Sequence, residues 1–405
     1  MSPLQISWKS LKSKPLSSGL NILLIAFGTG ILTILLLASR QIGDKLTQNS
    51  KDIDLVVGAK GSPLQLILSS IYYIDNPTGN IPLEDAQRLS RSPFVKRAVP
   101  LAMGDNYKGF RIIGTDSNYI ALYQLKNATG QFWKKDFEVS IGATVAEQQK
   151  LKIGDTFLGA HGLTENAHVH DHHAYKVTGI LCKQGNVTDN LILTNIASVW
   201  KMHEEPEHDH AHENGHEHEE EEPAGNREIT SLLIQYRSPM SVVMFPRMVN
   251  QATQLQAASP AMESTRLFSL IGVGIDTLQW FAFLIMLIAA VSVFVNLYNS
   301  LKERQYDLAI MRTLGASRIK LFRIVIEEGL LLTLTGTIVG ILLGHIAVEL
   351  IGSGQESSQA KLSGLILLKE EIYLFAAGLA IGIFAAIIPA WQAYRADIAT
   401  ILAKN

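Results

Sequence analysis

The sequence contains very little cysteine, and long parts of it carry no charged side chain. The one cysteine, Cys182, excludes an intrachain disulfide and a zinc site built from several cysteines. The 405 residues have a formal net charge of −2, which gives no indication of nucleic-acid binding. The sequence also lacks the Gly-x-x-x-x-Gly-Lys-Ser/Thr pattern that cradles nucleotide phosphates.

Four stretches lack Asp, Glu, Lys and Arg, and each is long enough to cross a membrane. A helix needs about 20 mainly apolar residues to span the hydrocarbon core of a bilayer. The long, mixed segment after the first stretch is ample for a domain with its own core. We therefore predict an α-helical membrane domain of four transmembrane helices, with a large α/β extracytoplasmic domain inserted between helices 1 and 2. The stretches are Pro15–Ser39, Thr277–Leu301, Gly329–Val348 and Ile372–Tyr394.

The short segments that flank the spans predict the orientation. Lys9, Lys12 and Lys14 precede the first span without any acid, and Lys and Arg outnumber Asp and Glu between the second and third spans. Because positive segments stay cytosolic, we expect cytosolic termini and a large domain on the outer side of the membrane. The predicted layout is 1–19 amphipathic N-terminus, 20–39 span, 40–270 periplasmic domain, 277–301 span, 302–328 cytosolic elbow, 329–351 span, 352–371 periplasmic loop, 372–394 span and 395–405 cytosolic tail.

A cleaved signal peptide is the alternative for the first span. Its uncharged run is longer than the 7–15 apolar residues usual in signal peptides, and no Ala-x-Ala lies near its end. We therefore expect a retained membrane helix.

Small residues recur every four positions in the third and fourth spans. They let helix backbones approach closely, which drives association where water supplies no hydrophobic force. The pattern predicts packing either inside one four-helix unit or across the seam of a homodimer. The residues are Gly336, Gly340 and Gly344 in the third span and Gly378, Gly382 and Ala386 in the fourth.

His345 is the ionisable residue that lies deepest within an uncharged stretch, and such a residue is a candidate functional group. Its place near the predicted outer end of the third span favours an interfacial histidine instead. Spans without buried carboxylates argue against a proton-coupled carrier, so another energy source is expected.

The segment between the second and third spans predicts a helix–turn–helix elbow. Helical periodicity runs to Leu314, after which Gly315 can adopt the left-handed conformation that ends a helix. Ser317 can then cap the next helix through its hydroxyl.

This elbow resembles the signature of the FtsX-like permeases, the membrane subunits of the MacB, LolC and FtsX group of type VII ABC transporters. Trp8 and Leu11 before the first span, Leu151–Asp155 in the large domain and Pro389 in the last span are similar to the family as well. The sequence departs from the family pattern at Ile398, where many members have proline. The elbow residues of the resemblance are Glu303, Arg304, Asp307, Met311, Arg312, Leu314, Gly315, Ala316 and Ser317.

The resemblance implies a mechanical role without a catalytic site in this chain, in a bacterial inner membrane with the large domain in the periplasm. ATP would be bound by a separate cytosolic ABC ATPase subunit, with two ATPases and two permeases in the complex. The elbow segment 307–317 would dock in a groove of the ATPase. The other expected partners are membrane lipids, a second permease chain, and a periplasmic metal-binding or envelope protein.

Within the large domain, runs rich in β-branched and aromatic residues alternate with turn formers and helical segments. Leu64–Ile71 is apolar and is interpreted as a core helix or as a surface for a lipid or partner. The predicted strands are Asp54–Gly58, Phe110–Gly114, Phe137–Ile141, Tyr175–Leu181, Asn190–Thr194 and Ser231–Tyr236, and the predicted helices are Leu83–Ser90 and Ala143–Leu151.

Eleven of the twelve histidines fall in two segments, 161–173 and 203–222, which are interpreted as loops. Neutral imidazole is a good ligand for zinc, copper and nickel, and the ten acids of the second segment attract cations. Pro206 and Gly215 indicate a flexible segment that holds Zn²⁺ weakly; the alternative is a low-complexity segment with incidental affinity. The candidate ligands are His161, His168, His170, His172, His173, His203, His208, His210, His212, His216 and His218.

Together these patterns predict an ABC transporter permease subunit in metal homeostasis or uptake, with zinc as the leading ion. The alternatives are MacB- or LolC-like export or lipoprotein handling, and FtsX-like mechanical activation of an envelope protein.

Overall fold

The computed structural model describes residues 3–161, 169–203, 227–354 and 362–395. The chain divides into two compact units. The helical unit comprises Met1–Gly43, Leu270–Glu356 and Lys361–Asn405, and the α/β unit is built on Asp44–Ser269. The predicted tail beyond residue 395 and residues 355–361 of the predicted outer loop lie outside the described residues.

The helices follow the chain in this order: α1 Pro3–Ser13, α2 Pro15–Asn49, α3 Pro63–Ser70, α4 Leu83–Ser90, α5 Ser117–Leu122, α6 Ala143–Gln149, α7 Ile196–His203, α8 Ser241–Ala252, α9 Pro260–Glu303, α10 Gln305–Thr313, α11 Arg318–Ser353 and α12 Glu371–Arg395. The strands are β1 Leu55–Ala59, β2 Ile81–Pro82, β3 Val95–Tyr107, β4 Phe110–Thr115, β5 Asn127–Gly130, β6 Glu138–Ile141, β7 Thr156–His161, β8 Val169–Leu181, β9 Ile192–Asn195, β10 Glu228–Ile229, β11 Ser231–Tyr236 and β12 Leu255–Ala258.

In the described part of the chain, four helices are long and apolar enough to cross a membrane: α2, α9, α11 and α12. All four extend beyond the uncharged stretches of the sequence. The elbow's second helix and the third span form one unbroken helix, α11, because no proline interrupts the chain between Arg318 and Ser353.

The small residues of α11 and α12 pack the helices of the helical unit against one another. A Cβ atom on Gly340 would lie 2.6 Å from the carbonyl oxygen of Ala26 in α2, and one on Gly344 would lie 2.7 Å from Thr33 Cβ. Gly336 faces Ile25 of α2 in the same way, while Gly378 and Gly382 of α12 face Thr337 and Thr333 of α11. Ala386 is fully buried beside Gly329. Each of these contacts joins two helices of one chain.

Threonine hydroxyls inside this packing are bonded to their own helices. Thr29 Oγ1 donates to the Ile25 carbonyl at 2.8 Å, and Thr337 Oγ1 donates to the Thr333 carbonyl at 2.8 Å. Bonding to the preceding turn satisfies a hydroxyl without a partner from another helix. The helices can therefore bury these threonines at no hydrogen-bonding cost.

The α/β unit is built on a mixed sheet. In the described residues it has ten strands, in the order β12-β1-β11-β3-β4-β9-β6-β8-β5, with β7 pairing to β3 and β8; β10 and β2 form a separate pair. The pairs β4–β9 and β6–β8 are parallel, whereas the other pairs are antiparallel.

Helices cover both faces of the sheet at β1, the strand next to its β12 edge. Val56 of β1 belongs to one apolar cluster with Ile67 of α3, while Leu55 and Val57 belong to another with Phe245 of α8. Strands that are buried on both faces read as continuous apolar runs rather than alternating ones. This explains why β1 and β11 are visible in the sequence.

Two expectations about the α/β unit can be compared directly with the structure. α3 has Leu66 and Ile67 fully buried, so the core-helix interpretation of that segment is confirmed and the surface interpretation is wrong. The prediction of a loop over the first histidine segment is wrong at residues 169–173, because β8 begins at Val169, which pairs with Ala160 of β7. Alternating polar residues are compatible with a strand that extends an existing ladder, and the sequence pattern did not show this.

We predict that replacing Gly340 with alanine weakens the helical unit. The new methyl would push against the α2 backbone, and overpacking of this kind typically costs about 1–3 kcal/mol. The measurement is the free energy of unfolding of the purified chain in detergent micelles.

Gly272→Ala is the matched control, because Gly272 also lies in a long helix but has nothing within 4 Å of an added Cβ. There alanine should stabilise the helix by about 0.5–1 kcal/mol. Equal effects at the two positions would contradict close packing at Gly340.

Candidate functional site

The elbow consists of α10, the turn Leu314–Ser317 and the start of α11. Leu308 and Ala309 turn inward, and they pack in the region of Leu321, Ile324 and Val325. The inward face of α11 is thus formed by Leu321 and Ile324. The elbow is consequently a packed part of the helical unit.

The turn of the elbow has the backbone geometry that the sequence predicts. Gly315 has φ of +96°, a left-handed conformation that favours glycine. Its amide donates to the Arg312 carbonyl at 3.0 Å, and the Ala316 amide donates to the Met311 carbonyl at 2.9 Å. These two bonds form a Schellman motif, which satisfies the last carbonyls of α10.

The next helix begins with a side-chain cap. Ser317 Oγ accepts a hydrogen bond from the Lys320 amide at 3.2 Å. Between and beside these caps, Leu314 is 82% exposed and Ile319 is 70% exposed. The two caps fix the turn rigidly, and the turn presents two large apolar side chains outward.

The first two residues of the predicted coupling set contact the N-terminal part of the chain. Glu303 forms an ion pair with Lys14, and Arg304 Nη2 donates to Ser13 Oγ at 2.9 Å. Asp307 is exposed, whereas Met311, Arg312 and Ala316 are half-buried. The structure therefore separates the predicted set into residues that bind α1 and its following turn and residues that line or form the elbow.

Sequence reasoning missed the way α1 packs against α11. Ser7 Oγ donates to the Ile324 carbonyl at 3.0 Å, and Ser10 Oγ donates to the carboxylate of Glu328, which is 7% exposed. The signal in the sequence is two serines at i and i+3 on an otherwise amphipathic helix, which places both on one face.

At the opposite end of α11, His345 holds the segment that precedes α12. Its Nδ1 lies 2.5 Å from the Gly364 carbonyl oxygen, and its Nε2 lies 3.3 Å from Glu371 Oε1. Gln41 of α2 binds the same segment, because its Nε2 donates to the Ser363 carbonyl at 2.7 Å. His345 thus joins α11 to the first residue of α12 and to the segment before it, as an interfacial histidine can.

The structure places only part of the predicted metal-ligand set. His161 ends β7, His170, His172 and His173 lie in β8, and His203 ends α7. The ring of His173 packs 4.5 Å from the ring of Phe137, between centroids. In residues 3–161, 169–203, 227–354 and 362–395, no three His, Cys, Asp or Glu side chains are grouped to hold a metal ion. Outside the described residues lie His168, His208, His210, His212, His216 and His218.

Two solved structures resemble this chain at low similarity. One is the periplasmic region of MacB from Actinobacillus actinomycetemcomitans, with 11% identity, coverage of 55% of this chain and 97% of that one, and a TM-score of 0.34. The other is the extracellular domain of the noncanonic ABC-type transporter YknZ from Gram-positive bacteria, with 14% identity, coverage of 51% and 99%, and a TM-score of 0.31.

A curated relative is the pyoverdine export ATP-binding/permease protein PvdT of Pseudomonas putida. It is 20% identical over 414 residues, which cover 97% of this chain. The same alignment covers 58% of PvdT, so the chain spans less than two thirds of that relative's length.

Two protein families match, and together they extend over both units. The MacB-like periplasmic core domain matches residues 18–245, which is more than half of the chain. The FtsX-like permease C-terminal family matches residues 280–398, which include the elbow, α11 and α12. The chain therefore belongs to the FtsX-like permeases of the MacB type, the type VII ABC transporter permeases.

Proposed function

We propose that this permease subunit couples ATP hydrolysis by a separate ATPase chain to movement of its α/β unit, in the service of metal homeostasis. The observation that carries the coupling role is the doubly capped turn at Gly315. A rigid turn with exposed Leu314 and Ile319 is suited to a partner's apolar groove. Exposed apolar anchors at the centre of a patch supply much of the energy of an interface.

Charge supports the same docking role. Asp307 is exposed one helix turn before Met311, and Arg318 and Lys320 are exposed just after the turn. The apolar tip is thus surrounded by charges of both signs. A charged rim of this kind chiefly sets the register and the association rate of a partner.

The long helices α2 and α9 support transmission of movement. α9 has 44 residues, which corresponds to about 66 Å of helix. A hydrocarbon core is about 30 Å thick, so this helix continues well beyond the length that a membrane requires. A shift applied at the elbow end can therefore be carried along an unbroken backbone. We propose that two copies of the chain work with two ATPases.

The distribution of Lys and Arg supports an inner-membrane location with the elbow in the cytosol. Lys9, Lys12 and Lys14 lie in or just after α1, and Arg304 and Arg312 lie in the elbow on the same side. Under the positive-inside rule this end of the helical unit faces the cytosol. The α/β unit would then lie in the periplasm.

The histidine segments support zinc as the metal. The paired strands β7 and β8 flank residues 162–168 of the first segment. Several imidazoles within so short a segment can bind ions weakly without a preformed site. Imidazole and carboxylate ligands together suit Zn²⁺.

Export is the second candidate function. The relative PvdT is named for pyoverdine export, and 97% of this chain aligns with it. In that case the α/β unit would move an organic cargo, and the bound metal would be incidental.

We predict that Leu314→Asp separates the chain from its ATPase. A carboxylate at the tip would have to be desolvated in the partner's groove, so we expect a loss of at least about tenfold in affinity. The measurement is the ATPase activity that copurifies with the tagged, full-length chain from membranes.

Leu365→Asp is the control, because Leu365 is also 82% exposed but lies between α11 and α12. Unchanged copurification with Leu314→Asp would contradict docking through the turn. Loss with both variants would indicate a general defect and would contradict it as well.

We predict that zinc binding to the purified chain weakens in acid. Protonated imidazole cannot bind a metal, and histidine has an ordinary pKa of about 6.5. Between pH 8 and pH 5.5 the affinity should therefore fall about tenfold for each imidazole ligand. Isothermal titration with Zn²⁺ at the two pH values measures this change.

Replacing the eleven histidines with glutamine should abolish the pH-dependent part, whereas Glu219–Glu222→Gln should keep it. Zinc binding that is equal at both pH values would contradict histidine ligation. Such a result would leave the ATPase coupling untouched, so the two halves of the proposal can fail separately.

A further inference from the structure

A cavity of about 460 Å³ lies inside the helical unit, next to the elbow. It is open on one side and lined by residues of α1, the last turns of α9, α10 and the first turns of α11. Its volume is in the range that small-molecule sites occupy. We call it the elbow cavity.

The floor of the elbow cavity is apolar. Leu297 and Leu301 come from α9, Leu308 from α10, and Ile324 and Val325 from α11. All five side chains are aliphatic, and each is at most 8% exposed. Such a floor suits a hydrocarbon chain.

Four charged residues also line the cavity, and their charges balance. Lys9 and Arg304 are cationic, whereas Asp307 and Glu328 are anionic. Arg304 is held in place by its bond to Ser13, and Glu328 by its bond from Ser10. A ligand with a single charge would meet two like charges here, so the lining is complementary to a zwitterion.

The wall formed by α1 has the character of a helix at a membrane surface. Leu4 and Trp8 are 55% and 57% exposed and lie one helix turn apart on the side away from the cavity. Tryptophan is enriched at membrane–water interfaces, and amphipathic helices lie in the plane of the interface. On the other side, Leu297 and Leu301 belong to the last turns of a membrane-spanning helix. The cavity is therefore lined both by a helix suited to the membrane surface and by the end of a candidate membrane span.

We propose that the elbow cavity binds one zwitterionic phospholipid whose head group carries a primary ammonium. One acyl chain would occupy the apolar floor, the phosphate would contact Lys9 and Arg304, and the ammonium would donate to Asp307 and Glu328. A trimethylammonium head group has no N–H donor for these carboxylates, and a glycerol head group has no positive charge. The chemistry therefore selects an ethanolamine head group.

This lipid would contact α1, α10 and α11 together. It would brace the elbow against the N-terminal helix, so the stiffness of the elbow would depend on the surrounding lipid. This proposal does not depend on the metal or on the direction of transport.

The test is native mass spectrometry of the delipidated, full-length chain, to which phosphatidylethanolamine, phosphatidylcholine or phosphatidylglycerol is added at equal concentration. We expect one phosphatidylethanolamine per chain, bound at least about tenfold more tightly than the other two. Lys9→Gln should weaken the binding of phosphatidylethanolamine and of phosphatidylglycerol to the same extent, because both lipids carry the phosphate that Lys9 contacts. Asp307→Asn should weaken the binding of phosphatidylethanolamine and strengthen that of the anionic phosphatidylglycerol, because it removes one of the two like charges that the latter meets.

Lys12→Gln is the matched control, since Lys12 is exposed on the same helix but does not line the cavity. Met311→Phe narrows the floor and keeps all four charges, so it should weaken the binding of all three lipids. Thermal midpoints without added lipid verify that each variant is folded. Equal binding of the three lipids, binding that Lys9→Gln and Asp307→Asn leave unchanged, or a segment of the ATPase seated in the cavity of the assembled complex would overturn the proposal.

Discussion

The helical unit depends on one constraint, which is that helices in an apolar solvent must approach closely enough to gain packing energy. Water supplies no hydrophobic force there, so contact between backbones replaces it. The approach of α11 to Ala26 and Thr29 of α2 at Gly340 meets this constraint. The same device at Gly382 brings α12 onto α11, and threonine hydroxyls between the helices return their hydrogen bonds to their own backbones. The elbow and the segment held by His345 are then fixed by helices whose spacing is already set.

Local signals made much of this structure predictable. The bounds of α4 and the elbow caps depend on residues a few positions apart, and the structure agrees with each of them. β3 was missed because its thirteen residues include Lys96, Arg97 and Gly104, which hide the strand pattern. Its first half, Val95–Leu101, pairs with β11, more than one hundred residues later. Pairing over such a distance leaves no trace in a short window of sequence.

In the candidate site, too, local features could be predicted from the sequence and long-range contacts could not. Gly315 and Ser317 could be located from the sequence because a left-handed glycine and a serine cap act on adjacent residues. The contact of Ser10 with Glu328 could not, since the two residues are 318 positions apart. The resemblance to FtsX-like permeases supplied the coupling role, whereas the partners of Glu303 and Arg304 came only from the fold. In the structure, Glu303 and Arg304 are already bonded to Lys14 and Ser13 of the same chain.

The packing of α1 on α11 has a consequence for biogenesis. Ribosomes add about 5–20 residues per second, so α1 would wait roughly 15–60 s between its own emergence and that of Glu328. An amphipathic helix can rest on the bilayer surface during this delay, because the interface accommodates both of its faces. A nascent chain that stalls before Glu328 would then display α1 undocked. The insertion machinery and its quality control would thus meet α1 long before the residues of α11 that hold it.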